Sequence, residues 1–432
     1  MKKYFKQIFK LFLPLFIARI GMFSLSLVDS IMLGYSDSDH VGMQSIGDTP
    51  VSIILLMLNG LLQGTLFTTS HAFGKNDFIA VGQSLRSALT NGLFLSLITI
   101  PCLIFAPQII SLLNYDPKQI QIVSSITRIL CATIPFSIMF FICTSFLNGI
   151  KKTWIVTVFT ILANIINLFL NWILINGLFG FPRLLSIGAA FSTSVVRFFM
   201  GGGLLLYVLL NPKFKKFQIW DSNSNNNMIK KQQKLGLSAT SNMISYEIGA
   251  AFCLFYAANI SITDASAYTL SYRIFILSNI VGSCFAIAGT ILSGKYSNNN
   301  LELRKIYQTS IFANILIMFS FCTVCFLVSS YISSLMTSDV NLSKLTSSLL
   351  QITCIAMLMR SLNSIQIILL RNIDCLLIPS LIYNFCFICL TPLLCFWLGS
   401  SFSTSGIMWS LTISNACVVI FLHYIFMKKN II

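Results

Sequence analysis

The sequence predicts an all-α polytopic membrane protein with twelve transmembrane helices. They are expected in two six-helix lobes related by a pseudo-twofold axis along the membrane normal. Three observations predict this. The chain is 56% hydrophobic and only 9% charged, with a mean hydropathy of +0.83, far more apolar than a soluble domain of its length. Twelve separate stretches reach the roughly 20 apolar residues that a helix needs to cross hydrocarbon, and they lack the alternation of a transmembrane β-barrel. The basic residues fall on one side. Twenty Lys and Arg lie at the N-terminus, in the even-numbered loops and at the C-terminus, against Lys118, Arg183 and Lys344 in the odd-numbered loops. Cationic loops stay in the cytoplasm, so both termini are expected there.

The predicted spans cover residues 8–33, 48–72, 86–113, 120–147, 153–177 and 187–210, then 235–259, 266–293, 306–336, 345–370, 379–399 and 404–427. Residues 1–20 have the basic start and apolar core of a signal peptide. No small-residue cleavage site follows and Arg19 interrupts the run, so this segment reads as an uncleaved first span. The net charge of +16 is topological, and no nucleic-acid partner is expected.

Matches between the two halves fall at equivalent topological positions. Gly74-Lys75 recurs as Gly294-Lys295, Leu147-Asn148-Gly149-Ile150 is echoed by Leu370-Arg371-Asn372-Ile373, and Ser186-Ile187-Gly188 by Thr404-Ser405-Gly406, at offsets of 220, 223 and 218. Six spans per half is an even number, so both halves have the same orientation. The expected organisation is a lobe over 1–210, a cytoplasmic linker over 211–234, rich in Lys and Asn, and a second lobe over 235–432. Duplication alone does not distinguish a carrier from a channel. The polar residues inside the spans decide.

Of twelve acidic side chains, only Asp29 and Glu247 sit well inside a stretch. A carboxylate in hydrocarbon is costly unless it is protonated, paired or facing water, so each is a functional candidate by default. Span 1 carries Ser26 and Asp29 on one face above Pro14. Such an acid suits proton exchange, or cation coordination with neighbouring oxygens. In span 5, Asn164, Asn167 and Asn171 form one polar stripe at i, i+3 and i+7. These amides either supply oxygens beside Asp29 or bond a neighbouring helix as glue. Span 7 places Asn242, Ser245 and Tyr246 around Glu247.

Arg19, Arg128, Arg197, Arg273 and Arg360 fall within spans, and no Lys does apart from Lys10 at the very start of the first. Buried arginines lock helices or meet carboxylates, and Arg360, on a face with Asn363 and Ser364, is the candidate partner of Glu247. The thirteen cysteines lie almost wholly within spans, including Cys322 with Cys325 and Cys386 with Cys389. No His or acid adjoins either pair, so they read as packing residues and no metal site is expected. No G-x-x-x-x-G-K-[ST] loop is present for ATP, and no nucleophile and base at a plausible spacing suggest an enzyme.

Several motifs stand in a specific order. Pro14 precedes Val28-Asp29-Ser30-Ile31-Met32-Leu33-Gly34, and Ala72-Phe73-Gly74-Lys75-Asn76-Asp77 ends span 2. Asn164-Ile165-Ile166-Asn167-Leu168-Phe169-Leu170-Asn171 precedes Gly180-Phe181-Pro182, and Gly236-Leu237 precedes Glu247. In these the chain resembles the multidrug and toxic compound extrusion (MATE) transporters, in the NorM-like part of that family, over nearly all of its 432 residues. The resemblance implies a twelve-helix, two-lobed antiporter that exports organic, often cationic and amphipathic, compounds against inward flow of H⁺ or Na⁺. It makes Asp29 the helix-1 acid coupled to release, places Asn171 where some relatives carry a second acid, and matches Glu247 to a C-lobe glutamate.

The chain departs from that pattern at three places. Arg360 stands where NorM-like members have an aspartate that helps to hold a cation, and a guanidinium there repels Na⁺. Ser238 replaces an expected proline, and Arg371-Asn372-Ile373-Asp374 lacks the usual glycine. The expected coupling site therefore shifts to Asp29, Asn167 and Asn171, with Glu247 as the C-lobe member and Ser26, Asn164 and Arg360 in support.

The expected function is a secondary active antiporter in the cytoplasmic membrane, monomeric, with small organic substrates, H⁺ or Na⁺ as the coupling ion and no other cofactor. The first alternative is a flippase for a lipid-linked saccharide, whose phosphate would suit the intramembrane arginines. The second is an intramembrane enzyme or scaffold, against which the absence of a catalytic pair speaks.

Overall fold

Backbone polar groups in hydrocarbon must be satisfied within their own segment, which for long Leu, Ile and Phe runs means helix. A computed structural model describes residues 2–36, 38–97, 99, 101, 103–105, 108, 117–219, 226–296, 300–337 and 339–428, and among these residues there is no strand. The helices of the first half are α1 (Lys2–Ser36), α2 (Ser38–Leu62), α3 (Gly64–Gly74), α4 (Phe78–Ser96), α5 (Pro117–Cys131), α6 (Ile134–Gly149), α7 (Thr153–Asn176) and α8 (Leu185–Leu210). Those of the second are α9 (Asn226–Ile260), α10 (Ile262–Ser293), α11 (Asn300–Leu327), α12 (Ser329–Met336), α13 (Val340–Asn372), α14 (Leu377–Phe385) and α15 (Thr391–Lys428).

Several expected spans comprise two adjoining helices. α2 and α3 adjoin at Gln63, whose φ of −61° and ψ of −25° stay helical so that Gly42–Gly74 is one run, and α5 and α6 meet at a bend of 40°, where Pro135 follows the start of α6 and cannot donate a backbone N–H. Among the described residues, nine helical runs are long and apolar enough to cross a bilayer, and the bent α5–α6 pair makes ten. The last run, Leu377–Lys428, has 52 residues. At about 1.5 Å each that is more than twice the ~30 Å hydrocarbon thickness. It divides at Ser403, whose φ of 52° and ψ of −137° are not helical. That division restores the two expected spans 379–399 and 404–427. Expected span 86–113 begins within α4, and most of its later part lies outside the described residues.

The chain forms two compact units, one of Ile17–Thr240 and one of Met1–Phe16 with Ser241–Ile432. Residues 2–16 thus pack with the second half, although the sequence suggested a first lobe over 1–210. Aromatic contacts explain this difference: Phe12 stacks on Phe285 at 4.1 Å, and the Tyr4 hydroxyl donates to the Glu302 carboxylate.

In the unit 17–240, α8 packs on α6 and α7, and α3 packs on α4 and α6. Their core holds Leu85, Ile138, Ile142, Phe146 and Leu204. The expected flexible linker 211–234 is structured where it is described. Pro212–Phe217 forms a 3-10 turn, and Phe214 and Phe217 are buried against Phe146. From Asn226 the chain is already α9, and Gln232 Nε2 donates to Ser84 O and Thr68 Oγ1, both at 3.0 Å. The polar run that reads as linker hides two aromatic anchors and a buried amide.

The start of α9 crosses α2 and α3 backbone against backbone. A Cβ on Gly236 would lie 2.0 Å from Leu61 O, and one on Gly64 would lie 2.2 Å from Gln232 O. Small residues permit this approach, as in other membrane helix crossings. In the other unit, α13 packs on α10, α11 and α15, with Asn363 Nδ2 donating to Asn415 Oδ1 at 3.1 Å and Asn314 Nδ2 to Ser361 Oγ at 3.1 Å.

Gly236→Ala is expected to lower the thermal unfolding midpoint in detergent, because overpacking against backbone costs about 1–3 kcal/mol. Gly202→Ala, with nothing within 4 Å of the new Cβ, is the control and should match the native midpoint. Equal midpoints for the two variants would contradict the close crossing.

Candidate functional site: a buried acid held by α7 and α8

The polar stripe on α7 faces α1 along its length. Gly21 allows the two helices to approach, since a Cβ there would lie 2.8 Å from Thr160 Cγ2. One turn of contact is glue: Asn164 Nδ2 donates to Gly21 O at 3.0 Å, and Ser24 Oγ donates to Asn164 Oδ1 at 2.9 Å. Beyond it comes the acid. Asp29 is 7% exposed, while Asn167 and Asn171 are 1% and 0% exposed. Asn167 Nδ2 donates to Asp29 Oδ1 at 3.1 Å, Asn171 Nδ2 to the same oxygen at 2.5 Å, and Thr193 Oγ1 from α8 to Oδ2 at 2.9 Å. Ser192 Oγ accepts from Asn167 Nδ2 at 3.2 Å and so fixes that amide.

The two readings of the Asn stripe are therefore divided among its members. Asn164 bonds the neighbouring helix, and Asn167 and Asn171 reach Asp29. Asn171 Oδ1 is buried without a hydrogen-bond partner, so the amide keeps an unused oxygen beside the acid. The Ser26 side chain lies outside the described residues.

Thr193 was not singled out from sequence. Serine and threonine abound in apolar helices and usually bond their own backbone, so only its place on α8 opposite Asp29 marks it.

A cavity of about 250 Å³ opens beside the acid. Asp29, Asn167, Thr193, Asp48 and Arg197 line its polar side, and Met22, Leu55, Phe140 and Met200 its apolar side. Asp48, read from sequence as the edge of a span, lies well inside α2 and pairs with Arg197, with Nη2 3.6 Å from Oδ1.

Glu247 and Arg360 belong to the other unit. The suggested ion pair between them does not form among the described residues. Arg360 is 7% exposed and stacks its guanidinium 3.6 Å from the centre of the Tyr246 ring, and its Nη1 donates to the Tyr383 hydroxyl. Glu247 is exposed. Adjacent helical residues point about 100° apart, so a register that buries Tyr246 against Arg360 turns Glu247 away. No group of three His, Cys, Asp or Glu among the described residues is placed to hold a metal ion, and the described cysteines are free thiols.

The MatE family model matches the chain twice, over residues 14–173 and 238–397. The two matches are offset by 224 residues, in step with the internal repeat. The chain belongs to the MatE family. Asp29 and the α7 amides lie in the first match, and Glu247 and Arg360 in the second.

Over its whole length this MatE chain is similar to the multidrug export protein MepA of Staphylococcus haemolyticus, with 22% identity over 99% of this chain and 94% of MepA. It is also similar to the probable multidrug resistance protein NorM of Photorhabdus laumondii, with 25% identity over 49% of this chain and 47% of that protein. Against NorM of Caulobacter vibrioides the identity is 22% over 65% of this chain and 60% of that protein. The chain thus spans about half the length of several NorM relatives that it matches.

Among solved structures it is similar to MATE in complex with MaL6, with TM-score 0.88, 17% identity and coverage of 99% and 96%. It is likewise similar to a multidrug resistance MATE family transporter of the MOP superfamily in an outward-facing conformation, with TM-score 0.87, 18% identity and the same coverage. At these identities the likeness is one of fold.

Tyr383→Phe is expected to lower the thermal midpoint, because a hydrogen bond from a charged group is worth about 1.5–3 kcal/mol. Glu247→Gln should leave stability within about 0.5 kcal/mol of native. The reverse order in thermal unfolding would show that Arg360 depends on Glu247 instead.

Proposed function

We propose that this chain is a secondary active exporter of organic, cationic amphipathic compounds, driven by inward flow of a coupling cation that binds at Asp29. One observation carries the reading. A buried carboxylate is held by three neutral donors on two other helices, and among the described residues no Lys, Arg or His forms an ion pair with it. Neutral donors orient the charge without cancelling it. A proton or a cation does cancel it.

Neutralising Asp29 changes what its neighbours want. An ionised carboxylate only accepts hydrogen bonds, whereas a protonated one also donates, and of its partners the Thr193 hydroxyl can turn to accept that proton while the Asn167 and Asn171 Nδ2 groups cannot. The contacts between α1 and the pair α7 and α8 then differ between the loaded and unloaded states. That difference biases one arrangement of the protein over another, as an exchanger requires. H⁺ is taken as the coupling ion, because it needs no change of ligand atoms. Na⁺ requires oxygens, and therefore a turn of the Asn171 amide to bring its unused Oδ1 toward Asp29.

The apolar wall of the cavity accommodates the body of an amphipathic substrate, and the acid its positive charge. The protein works in the cytoplasmic membrane with both termini in the cytoplasm, an orientation that the distribution of Lys and Arg supports.

Uptake of a fluorescent organic cation into inverted membrane vesicles, energised separately by a proton gradient and a sodium gradient, tests this. The native chain should respond to the proton gradient, Asp29→Asn should fall to background, and Asn171→Ala should lose about tenfold, the value of one charged hydrogen bond. Undiminished uptake by correctly inserted Asp29→Asn would sink the assignment.

A further inference from the structure

Asp48 and Arg197 line the cavity beside Asp29, and the exchange proposed for Asp29 makes no use of them. Arg197 lies one turn along α8 from Thr193, so both project from one face. Its Nη1 donates to Thr133 Oγ1 at 3.3 Å, and its Nη2 lies 3.6 Å from Asp48 Oδ1. Asp48 Oδ2 accepts from Ser52 Oγ at 2.6 Å. The pair is thus built into the polar wall.

Among the described residues these are the cavity's remaining charges. Of the helices around it, α6 and α7 carry no charged residue. Arg197 is the one charged residue of α8, and α1 and α2 contribute Asp29 and Asp48 to the lining. Arg197 and Asp48 sum to zero, so the net charge of the cavity follows Asp29 alone. It is one negative charge with the carboxylate ionised and none with it neutralised.

We infer that the Asp48–Arg197 pair sets the valence of the substrate: the cavity takes monovalent organic cations and exchanges them one for one with a monovalent coupling ion, without net charge movement. This deepens the reading of Asp29 given above and rests on it. A singly charged amphiphile neutralises the cavity as a bound proton does. A dication would leave one uncompensated positive charge in a low-dielectric site beside the Arg197 guanidinium, which stays charged.

Two single variants alter the charge count in opposite senses, and their combination restores it. Arg197→Gln makes the cavity more negative by one charge, Asp48→Asn makes it more positive by one, and the double variant returns it to the native value. Ethidium and propidium, a monocation and a dication on the same aromatic core, are suitable probes. Proton-driven transport of each is measured in proteoliposomes, with and without an imposed membrane potential.

The native chain should transport ethidium in preference to propidium, at a rate indifferent to the potential. Arg197→Gln should raise the propidium-to-ethidium ratio about tenfold or more, Asp48→Asn should depress ethidium transport, and the double variant should recover the native ratio. Comparable transport of both dyes by the native chain, a rate that follows the potential, or a ratio unmoved by Arg197→Gln would overturn the inference while leaving Asp29 as the exchange site. Absence of any gradient-driven cation transport by the native chain would overturn the exchanger reading and this inference with it. The potential measurement needs no variant, so poor folding of a single variant does not shield the inference.

Discussion

A carboxylate inside hydrocarbon is the constraint on which the first unit depends. Asp29 cannot be left bare there, and among the described residues its hydrogen-bond partners are neutral groups from two helices. Holding those partners requires α1 to lie close along α7, which Gly21 permits and Asn164 secures with bonds to Gly21 O and Ser24. It also requires α8 to present Thr193, and close packing of Gly201 near Phe136 O sets α8 against α6. The site and the helix packing are thus one solution to one electrostatic problem.

The duplicated architecture has diverged in its chemistry. In one unit an acid is held by amides and a hydroxyl beside a cavity. In the other, a guanidinium is held against Tyr246 and the Tyr383 hydroxyl, and its Nε has no acceptor. Aromatic faces stabilise a buried cation through their quadrupoles, so Arg360 needs no carboxylate, and Glu247 is left exposed. A fixed positive charge leaves that site little use for a second cation, which is the physical reason for placing the exchange at Asp29.

Much of this is legible in the sequence. Apolar runs, one-sided placement of Lys and Arg and a repeat near 220 residues give the helical, duplicated fold, because the bilayer permits few alternatives. Asp29, Asn167 and Asn171 are legible because an acid and a stripe of amides in apolar helices have no inexpensive explanation. What the sequence conceals are pairings that depend on register and distance along the chain. Asp48 reads as a span edge until α2 extends beyond it, and Arg197 gains its partner only when α2 and α8 meet. Arg360 selects Tyr246 over its neighbour Glu247 through a rotation of α9 that no periodicity specifies. The segment 211–234 reads as linker because Phe214, Phe217, Ile219 and Gln232 are few among many polar residues, yet among the described residues they are the ones that are buried.

The central claim is that substrate and coupling ion compete for Asp29. The direct measurement is proton release from purified protein in a weakly buffered solution on addition of an organic monocation. The account predicts a release of close to one proton per substrate bound by the native chain, and none by Asp29→Asn at saturating substrate. Equal release by the two proteins, or binding without release by the native chain in the absence of Na⁺, would contradict it.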